Sequence, residues 1–293
     1  MKDNIMKAII LGAAGQDGIY LTQLLESLNI NVVGISRSAG YVNIDITSFD
    51  PIKNLLVNEK PNYIFHFAAN SSTNHAFVLE NYNSIVTSTM VLLEVVYQYL
   101  PKTKVFISGS GLQFLNKGIP IKETDDFYAN DAYSLCRIQS VEAARYYRSL
   151  GLKVYVGYFF NHDSPLRTER HVTKMICENV KKIKLGIIST LTIGDKSVVK
   201  EWAFAGDIVN ALWLFMNQDA VYEANLSNGE GYSIEAFINE CFKIVDVDLT
   251  NRIVIDDKFK SSYKVLVSDN STIKKIGYKP EISFKKLAKL MMQ

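Results

Sequence analysis

The stretch that decides the fold is Lys7-Ala-Ile-Ile-Leu11 followed directly by Gly12-Ala-Ala-Gly15-Gln-Asp-Gly18. The apolar run is typical of a buried strand, and the residues from Gly18 to Leu28 carry leucines at helical spacing. Glycines at GxxGxxG spacing let the backbone turn tightly and approach a diphosphate, whose charge is stabilised at the N-terminus of the following helix. We therefore interpret this loop as a dinucleotide-binding loop, with an ordinary glycine turn as the alternative. Its candidate cofactor-binding residues are Gly12, Gly15, Gln16, Asp17 and Gly18.

Strand and helix patterns alternate through the first half of the chain, which predicts right-handed crossovers and a parallel sheet. Further strands are expected at Asn31–Ser36, Tyr63–Phe67, Lys104–Ser108 and Lys153–Phe159, and helices at Ser84–Leu100 and Asp131–Leu150. After Asn161 the order becomes irregular. Helices are expected there near His171–Lys184, Asp207–Asn217, Ser233–Val245 and Ser283–Met292. The prediction is an α/β chain with a doubly wound Rossmann domain over residues 1–160, to which part of 195–225 returns, and a smaller lobe mainly over 161–293.

Composition narrows the class of protein. A net charge of +2 is too small to indicate nucleic-acid or membrane binding. No apolar run is long enough to span a bilayer, and Lys7–Leu11 is too short for a signal peptide. Cys136, Cys177 and Cys241 fit neither a disulfide framework nor a zinc site, so we expect a cytoplasmic protein. No metal is expected either, since none of the four histidines has metal-ligand spacing; His66, in an apolar strand, is interpreted as structural.

The end of the second strand bears on which dinucleotide binds. An acidic residue there would bind the adenosine ribose, but the sequence has Ser36-Arg37-Ser38. An arginine between hydroxyls suits a 2′-phosphate and slightly favours NADP over NAD. Two alternatives remain open: the Arg37 side chain stacks on the adenine, or it points to water. Asp45 and Ile46, after the next expected strand, are predicted beside the adenine ring.

Several segments resemble one enzyme family over nearly the whole chain. They are the glycine loop, Phe67-Ala-Ala-Asn-Ser71, Phe160-Asn-His-Asp-Ser-Pro165, Lys200-Glu-Trp-Ala-Phe-Ala-Gly-Asp207 and Gly277-Tyr-Lys-Pro-Glu-Ile-Ser-Phe284. This combination resembles the GDP-mannose 4,6-dehydratase branch of the NAD-dependent epimerase/dehydratase family, within the extended short-chain dehydrogenases/reductases. The resemblance implies a tightly bound nicotinamide cofactor, NAD or NADP, and a C-terminal lobe that binds a nucleotide-activated sugar, GDP-linked by analogy with the branch.

The resemblance also assigns catalytic residues. Tyr133 matches the family's acid/base tyrosine, and Arg137 stands four residues later in place of the usual lysine. Residues at this spacing share a helix face, so both side chains can point into one site. Arginine keeps the charge that stabilises a tyrosinate but cannot carry a proton. Ser110 matches the hydroxyl that polarises the sugar oxygen, with Ser108 as a competing candidate.

The glutamate that removes the C5 proton in the dehydratases is replaced by Leu112. Leucine has no proton to give or take, and Glu123 and Asp125 are not placed by their spacing. The expected activity is oxidation or reduction at C4 of a GDP-linked hexose or heptose without 6-deoxygenation, as in a GDP-heptose 4-dehydrogenase. A 4,6-dehydratase, a C4 epimerase and a catalytically impaired nucleotide-sugar-binding protein are the alternatives.

The remaining assignments also follow from the resemblance. Further cofactor-binding residues are Phe67, Ala68, Ala69, Ser108, Tyr133, Arg137 and Phe160. Substrate-binding residues are Asn161, which follows the expected sixth strand, and Lys174, Lys200 and Lys260. Each lysine taken alone is more often a solvated surface charge. A homodimer or homotetramer is implied, with Ser84–Leu100 and Asp131–Leu150 as the expected contact helices.

Overall fold

The computed structural model describes residues 6–258 and 261–293 of the chain. Its helices are α1 (Gln16–Ser27), α2 (Phe49–Glu59), α3 (Val78–Asn81), α4 (Ser88–Tyr99), α5 (Ala132–Ser149), α6 (Val172–Lys184), α7 (Ala205–Met216), α8 (Ile234–Val245), α9 (Ser271–Lys275) and α10 (Phe284–Met291). Its strands are β1 (Lys7–Leu11), β2 (Asn31–Ile35), β3 (Tyr63–His66), β4 (Lys104–Ser110), β5 (Val154–Phe159), β6 (His162–Asp163), β7 (Leu191–Ile193), β8 (Val199–Glu201), β9 (Ala203–Phe204), β10 (Glu223–Leu226), β11 (Gly231–Ser233), β12 (Ile253–Ile255) and β13 (Val265–Leu266).

The central sheet has the strand order β10-β5-β4-β3-β1-β2, and all of its neighbouring strands are parallel. Alternate residues of β1 face opposite helix layers, because side chains alternate along a strand. Ile9 lies in the core shared with α2, α4 and α5, whereas Ile10 lies in the core shared with α1 and α7. Since the sheet is covered on both faces, β1 is a continuous apolar run. This arrangement brings the carboxyl ends of β1, β3, β4 and β5 to one edge.

The segment between β2 and α2 differs from the prediction. In place of the strand expected before Asp45, the described residues contain a single bridge between Ile35 and Val42. The Asp45 carboxylate accepts hydrogen bonds from the Thr47 backbone at 2.9 Å and the Ser48 hydroxyl at 2.6 Å. These bonds hold the turn that leads into α2, and the described residues 41–44 contribute only the bridge at Val42. Asn161 therefore follows the fifth strand of the chain rather than a sixth.

Two helices also differ from the prediction. Helix α2 has no counterpart among the predicted elements; its Pro51 is tolerated because it falls in the first turn. The predicted helix at Ser84–Leu100 begins earlier, at Val78, and continues through a π-helical segment, Tyr82–Thr87, before α4. Single π-helical turns within helices frequently mark functional sites.

A second core lies in the C-terminal half, among α6, α8 and α10 around Trp202. The thiols of Cys177 and Cys241, which are far apart in sequence, lie 3.9 Å from each other there. By contrast, α7 and β10 pack on the central sheet. We therefore propose that α7 and β10 belong to the dinucleotide-binding domain; the division of the chain at residue 160 stays a prediction. Among the described residues, no helix is both long and apolar enough to cross a membrane.

Candidate active site

The glycine loop between β1 and α1 lies tightly against the end of β3. Gly12 has a φ of +89°, and a Cβ on it would lie 2.7 Å from the backbone nitrogen of Ala68. A Cβ on Gly18 would lie 2.6 Å from the Cα of Ala13. Side chains at these two positions would collide with backbone, so glycine is required for the loop to pack closely.

Helix α1 begins with unsatisfied donors. Its N-cap residue, Gly15, has no side chain to accept a hydrogen bond from the first turn. The first backbone N–H groups of a helix have no partner within the helix, and together with the helix dipole they attract an anion. Gly15, Gln16 and Asp17 all line a cavity, so this helix end faces space in which a diphosphate can bind.

The cavity has a volume of about 420 Å³ and lies at the carboxyl ends of β1, β3, β4 and β5. It brings together most of the residues singled out in the sequence. The predicted site residues that line it are Gly12, Gly15, Gln16, Asp17, Gly18, Phe67, Ala69, Ser108, Ser110, Tyr133, Arg137, Phe160 and Asn161. Ala68 lies directly behind this surface, where its N–H donates to the Leu11 carbonyl at 2.9 Å.

Helix α5 positions Tyr133 and Arg137. Asp131 caps the helix by accepting a hydrogen bond from the Ser134 N–H at 2.7 Å, which fixes the first turn. One turn apart on the same face, the Arg137 Nε–H donates to the Tyr133 hydroxyl oxygen at 3.1 Å. The phenol oxygen is therefore an acceptor toward Arg137, and its own hydrogen remains free to point into the cavity.

The Arg137 guanidinium is buried and bound to the end of β4. Its Nη1 group donates to the Ser108 carbonyl at 2.6 Å and to the Ser108 hydroxyl at 2.8 Å. The Ser108 hydroxyl in turn donates to the His66 carbonyl at 2.9 Å. Burial, together with the charge of Arg137, lowers the pKa of His66 to about 3, so this histidine is neutral. Its Nε2 lies 2.7 Å from the Ser88 hydroxyl.

The two candidate serines have different hydrogen bonds. The hydroxyl of Ser108 is already a donor, as described above. The hydroxyl of Ser110 accepts a hydrogen bond from the Leu112 N–H at 3.2 Å and donates none to the described residues. Its backbone N–H donates to the Gln113 side chain at 2.9 Å. The Ser110 hydroxyl is thus the one with a hydrogen available for a ligand.

Leu112 lines the cavity directly beside Ser110. Among the described residues that line this cavity, Asp17 is the only carboxylate. The two acidic residues that the sequence left unplaced lie elsewhere. Glu123 accepts from the Asn225 backbone N–H at 2.9 Å, and Asp125 accepts from the Lys122 N–H at 2.9 Å.

The residues predicted around the adenine are not in the lining of this cavity. Arg37 is exposed, and Asp45 is exposed and engaged by its own turn. Ile46 packs against the apolar core under α2 and α4. Their role in cofactor binding stays a prediction.

The predicted substrate-binding residues have varied surroundings. Asn161 lines the cavity, and its Oδ1 is buried without a partner among the described residues. Lys200 is buried with its Nζ 4.4 Å from the centre of the Trp202 ring, and burial lowers its pKa. Lys174 pairs with Glu178 at 3.1 Å. Lys260 lies outside the described residues.

The cavity is also lined by residues that sequence reasoning did not assign, among them His162, Arg167 and Tyr263. His162 and Arg167 lie within or just after the Asn-His-Asp-Ser-Pro segment, and that proximity was the signal available for them. Burial raises the pKa of Tyr263, whose hydroxyl has no hydrogen-bond partner among the described residues. No local pattern marked Tyr263, because it enters the site from the C-terminal half.

Comparison with known proteins relates the whole chain to one family. A sequence profile described as GDP-mannose 4,6 dehydratase matches residues 9–291. "GDP-mannose 4,6 dehydratase 2" of Arabidopsis thaliana is 27% identical over 97% of this chain and 85% of its own length. The GDP-mannose 4,6-dehydratase of Vibrio cholerae is 30% identical over 83% of this chain and 73% of its own length.

Solved structures confirm the predicted fold. The UDP-glucose 4-epimerase of Thermotoga maritima, solved with UDP-glucose, has a TM-score of 0.89 at 20% identity, covering 98% of this chain and 97% of that one. RMD from Pseudomonas aeruginosa complexed with NADPH has a TM-score of 0.86 at 19% identity, covering 98% and 96%. The parallel sheet with flanking helices is therefore the Rossmann-like architecture of these proteins.

Proposed function

This chain belongs to the GDP-mannose 4,6-dehydratase family, and from that premise we propose that it oxidises or reduces C4 of a nucleotide-activated sugar without removing the C6 oxygen. The substrate we propose is a GDP-linked hexose or heptose, because GDP-sugars are named in the relatives. Family membership confirms the resemblance found in the sequence. The finer statement, redox chemistry without dehydration, depends on the residues of the cavity.

One observation carries the proposal. Elimination of the C6 oxygen requires a base that removes the C5 proton. Leu112 occupies the position next to Ser110 where the family resemblance places that base. Asp17, the only carboxylate among the described lining residues, forms an ion pair with His162 at 2.8 Å and lies at the helix α1 end of the cavity. The side chains that remain near Ser110 suit transfer of the O4 proton.

Three side chains have roles in this proposal. The Tyr133 hydroxyl takes or returns the proton on the sugar O4, since its hydrogen is free to face the cavity. The Ser110 hydroxyl donates a hydrogen bond to the same oxygen and stabilises charge that develops there. Arg137 stabilises negative charge on the Tyr133 oxygen through its Nε–H, at 3.1 Å. Because arginine does not release its proton, we assign it electrostatic support alone.

The dinucleotide end of the cavity fits a nicotinamide cofactor. Gly12 and Gly18 are held where any side chain would collide with backbone, and the uncapped start of α1 suits a diphosphate. When bound, the nicotinamide supplies the acceptor or donor of the C4 hydride. Solved neighbours are described with NAD or with NADPH, and we propose one of these two for this chain.

A second set of lining residues fits the sugar nucleotide. Asn161 offers a buried side-chain oxygen that has no partner among the described residues, and Tyr263 lines the same cavity. Arg167 also lines the cavity, and its Nη2 donates to the His162 carbonyl at 2.9 Å. Lys200 lies close enough to Asp163 and Arg167 to interact with their charges. We propose that these cations hold the diphosphate of the substrate.

The balance of oxidised and reduced cofactor tests the proposal. A 4,6-dehydratase forms a product that differs from its substrate by water alone, so it consumes no cofactor overall. We expect instead that the enzyme, incubated with GDP-mannose or a GDP-heptose and excess NAD or NADP, accumulates one reduced cofactor per product. With a 4-keto-sugar, the reverse reaction consumes one reduced cofactor. Complete conversion of substrate without net change in cofactor would contradict the proposal.

We also propose that the chain forms a homodimer through α3, α4 and α5. Large apolar side chains on these helices remain exposed: Leu79 at 73%, Met90 at 42% and Leu135 at 39%. Burying such side chains against a second copy removes apolar surface from water. Light scattering should give twice the chain mass for the wild type and a single chain mass for the M90E/L135E variant. A monomeric wild type at micromolar concentration would contradict this proposal.

A further inference from the structure

The first turn of α1 carries a carboxylate at the end where the proposed diphosphate binds. Asp17 lines the cavity, next to the uncapped N-terminus of the helix. A helix N-terminus stabilises an anion, but two anions at the same place repel each other. A bare Asp17 carboxylate would therefore oppose binding of a dinucleotide at this site. Its partner decides whether the carboxylate is bare.

That partner is His162, which is buried, with 6% of its surface exposed. Its Nε2 lies 2.8 Å from the Asp17 Oδ1, and its Nδ1 lies 2.8 Å from the Phe160 carbonyl oxygen. Neither a carboxylate nor a carbonyl oxygen has a hydrogen to donate, so both ring nitrogens must be donors. The geometry is that of a charged imidazolium held between two acceptors.

A second contact fixes the same two segments. The Ser164 hydroxyl donates to the Gln16 side-chain oxygen at 2.7 Å, and both side chains are buried. Residues 16–17 of the glycine loop are thus bound at two points to residues 162–164, which follow β5. The two motifs that stand out in the sequence, Gln-Asp and Asn-His-Asp-Ser-Pro, are one structural unit.

We infer that His162 is a positioning residue, whose positive charge neutralises Asp17 and makes the α1 end of the cavity receptive to the diphosphate of the dinucleotide. This inference rests on the proposed function, since it takes the ligand to be a nicotinamide dinucleotide. It goes further by making the affinity for that ligand depend on the proton held by His162.

The direction of the pH dependence follows from the groups around the imidazole. Burial by itself lowers the pKa of His162, but the Asp17 carboxylate raises it, and the net shift is upward. Burial raises the pKa of Asp17, whereas His162 and Arg167 lower it, and the net result is a pKa of about 2. Arg167 opposes the charge on His162. Burial and Arg167 lower the pKa of His171, which also lines the cavity.

Protonation of His162 therefore stabilises the folded site below its ordinary pKa of 6.5, and this stabilisation is lost as the pH rises through the raised value. Above that pH, Asp17 loses the charge of its hydrogen-bond partner, and the more distant charge of Arg167 remains. We expect the affinity for the dinucleotide to fall as His162 loses its proton. The fall is about tenfold for each unit by which the bound dinucleotide raises the pKa of His162.

The experiment measures the dissociation constants of NAD and NADP by calorimetry from pH 6 to 9, on protein freed of copurified dinucleotide. We compare the wild type with H162Q, D17N and D17N/H162Q. Glutamine keeps a donor for Asp17 but not the charge, and asparagine removes the carboxylate. H75Q is the matched control, because His75 is exposed and does not line the cavity.

The wild type and H75Q are expected to lose affinity at alkaline pH. H162Q should bind about tenfold more weakly at pH 6, with no alkaline loss. D17N and the double variant should bind tightly and independently of pH, so that D17N rescues H162Q. A merely structural role for His162 would not give this rescue or flatten the profile. If H162Q follows pH as the wild type does, the inference fails alone; if the wild type binds neither dinucleotide, the proposed function fails with it.

Discussion

Replacing Tyr133 with phenylalanine is expected to lower the turnover number about 10²- to 10⁴-fold, the usual contribution of a general acid or base. The reason is that the substitution removes a phenol oxygen of the cavity lining that accepts a hydrogen bond from Arg137 at 3.1 Å. Initial rates with a GDP-linked sugar and NAD or NADP measure the effect. Affinity for the dinucleotide should change little, since the ring and the cavity wall remain.

Y146F is the matched control for this substitution. Tyr146 lies on the same helix, α5, but its side chain is 59% exposed and far along the helix from the cavity. This variant should keep the wild-type rate. If Y133F and the wild type turn over equally fast, Tyr133 has no part in the mechanism. If both rates are negligible, the chain is a binding protein rather than an enzyme.

Replacing Arg137 with methionine is expected to lower turnover about 10²- to 10³-fold, the range seen when one electrostatic donor is removed from an active site. The same change leaves the Ser108 carbonyl without its 2.6 Å donor in a buried place. We therefore expect the free energy of unfolding to fall by about 1–3 kcal/mol as well. Thermal denaturation followed by circular dichroism separates the loss of stability from the loss of rate.

R137K distinguishes the charge of Arg137 from its shape. Lysine restores the residue usual in the family and keeps the positive charge, but it cannot reproduce the fork of donors to Ser108 and Tyr133. We expect it to recover most of the activity that R137M loses. A second readout is the pKa of His66, measured by NMR. Arg137 helps to lower this pKa to about 3, so it should rise in R137M. Equal activity of R137M and the wild type would exclude electrostatic support by this residue.

Local patterns were sufficient to predict the elements that build the site. The strand before Gly12 and the helix predicted from Gly18, which begins at Gln16, follow from an apolar run and a leucine repeat, because burial acts on side chains with a fixed period. Tyr133 and Arg137 were expected on one face because residues four apart meet on a helix. Their hydrogen bond of 3.1 Å agrees with that expectation.

The parts that sequence could not supply depend on contacts between distant segments. Asp17 and His162 are 145 positions apart, and no periodicity relates them. Ser108 and Ser110 point to the same side of β4, and their hydrogen bonds distinguish them. The Ser108 hydroxyl donates to the His66 carbonyl and accepts from Arg137, whereas the Ser110 hydroxyl accepts from the Leu112 N–H. In place of the strand expected before Asp45, the described residues have the single bridge between Ile35 and Val42.

The most direct test of the central claim is the mass of the product formed in heavy water. Wild-type enzyme is incubated in D₂O with GDP-mannose or a GDP-heptose and an oxidised dinucleotide, and the sugar nucleotide is examined by mass spectrometry. Since Leu112 cannot remove the C5 proton, we expect a product lighter by two hydrogens, with no deuterium bound to carbon. A product lighter by one water molecule, carrying deuterium from the solvent on the sugar ring, would contradict the account.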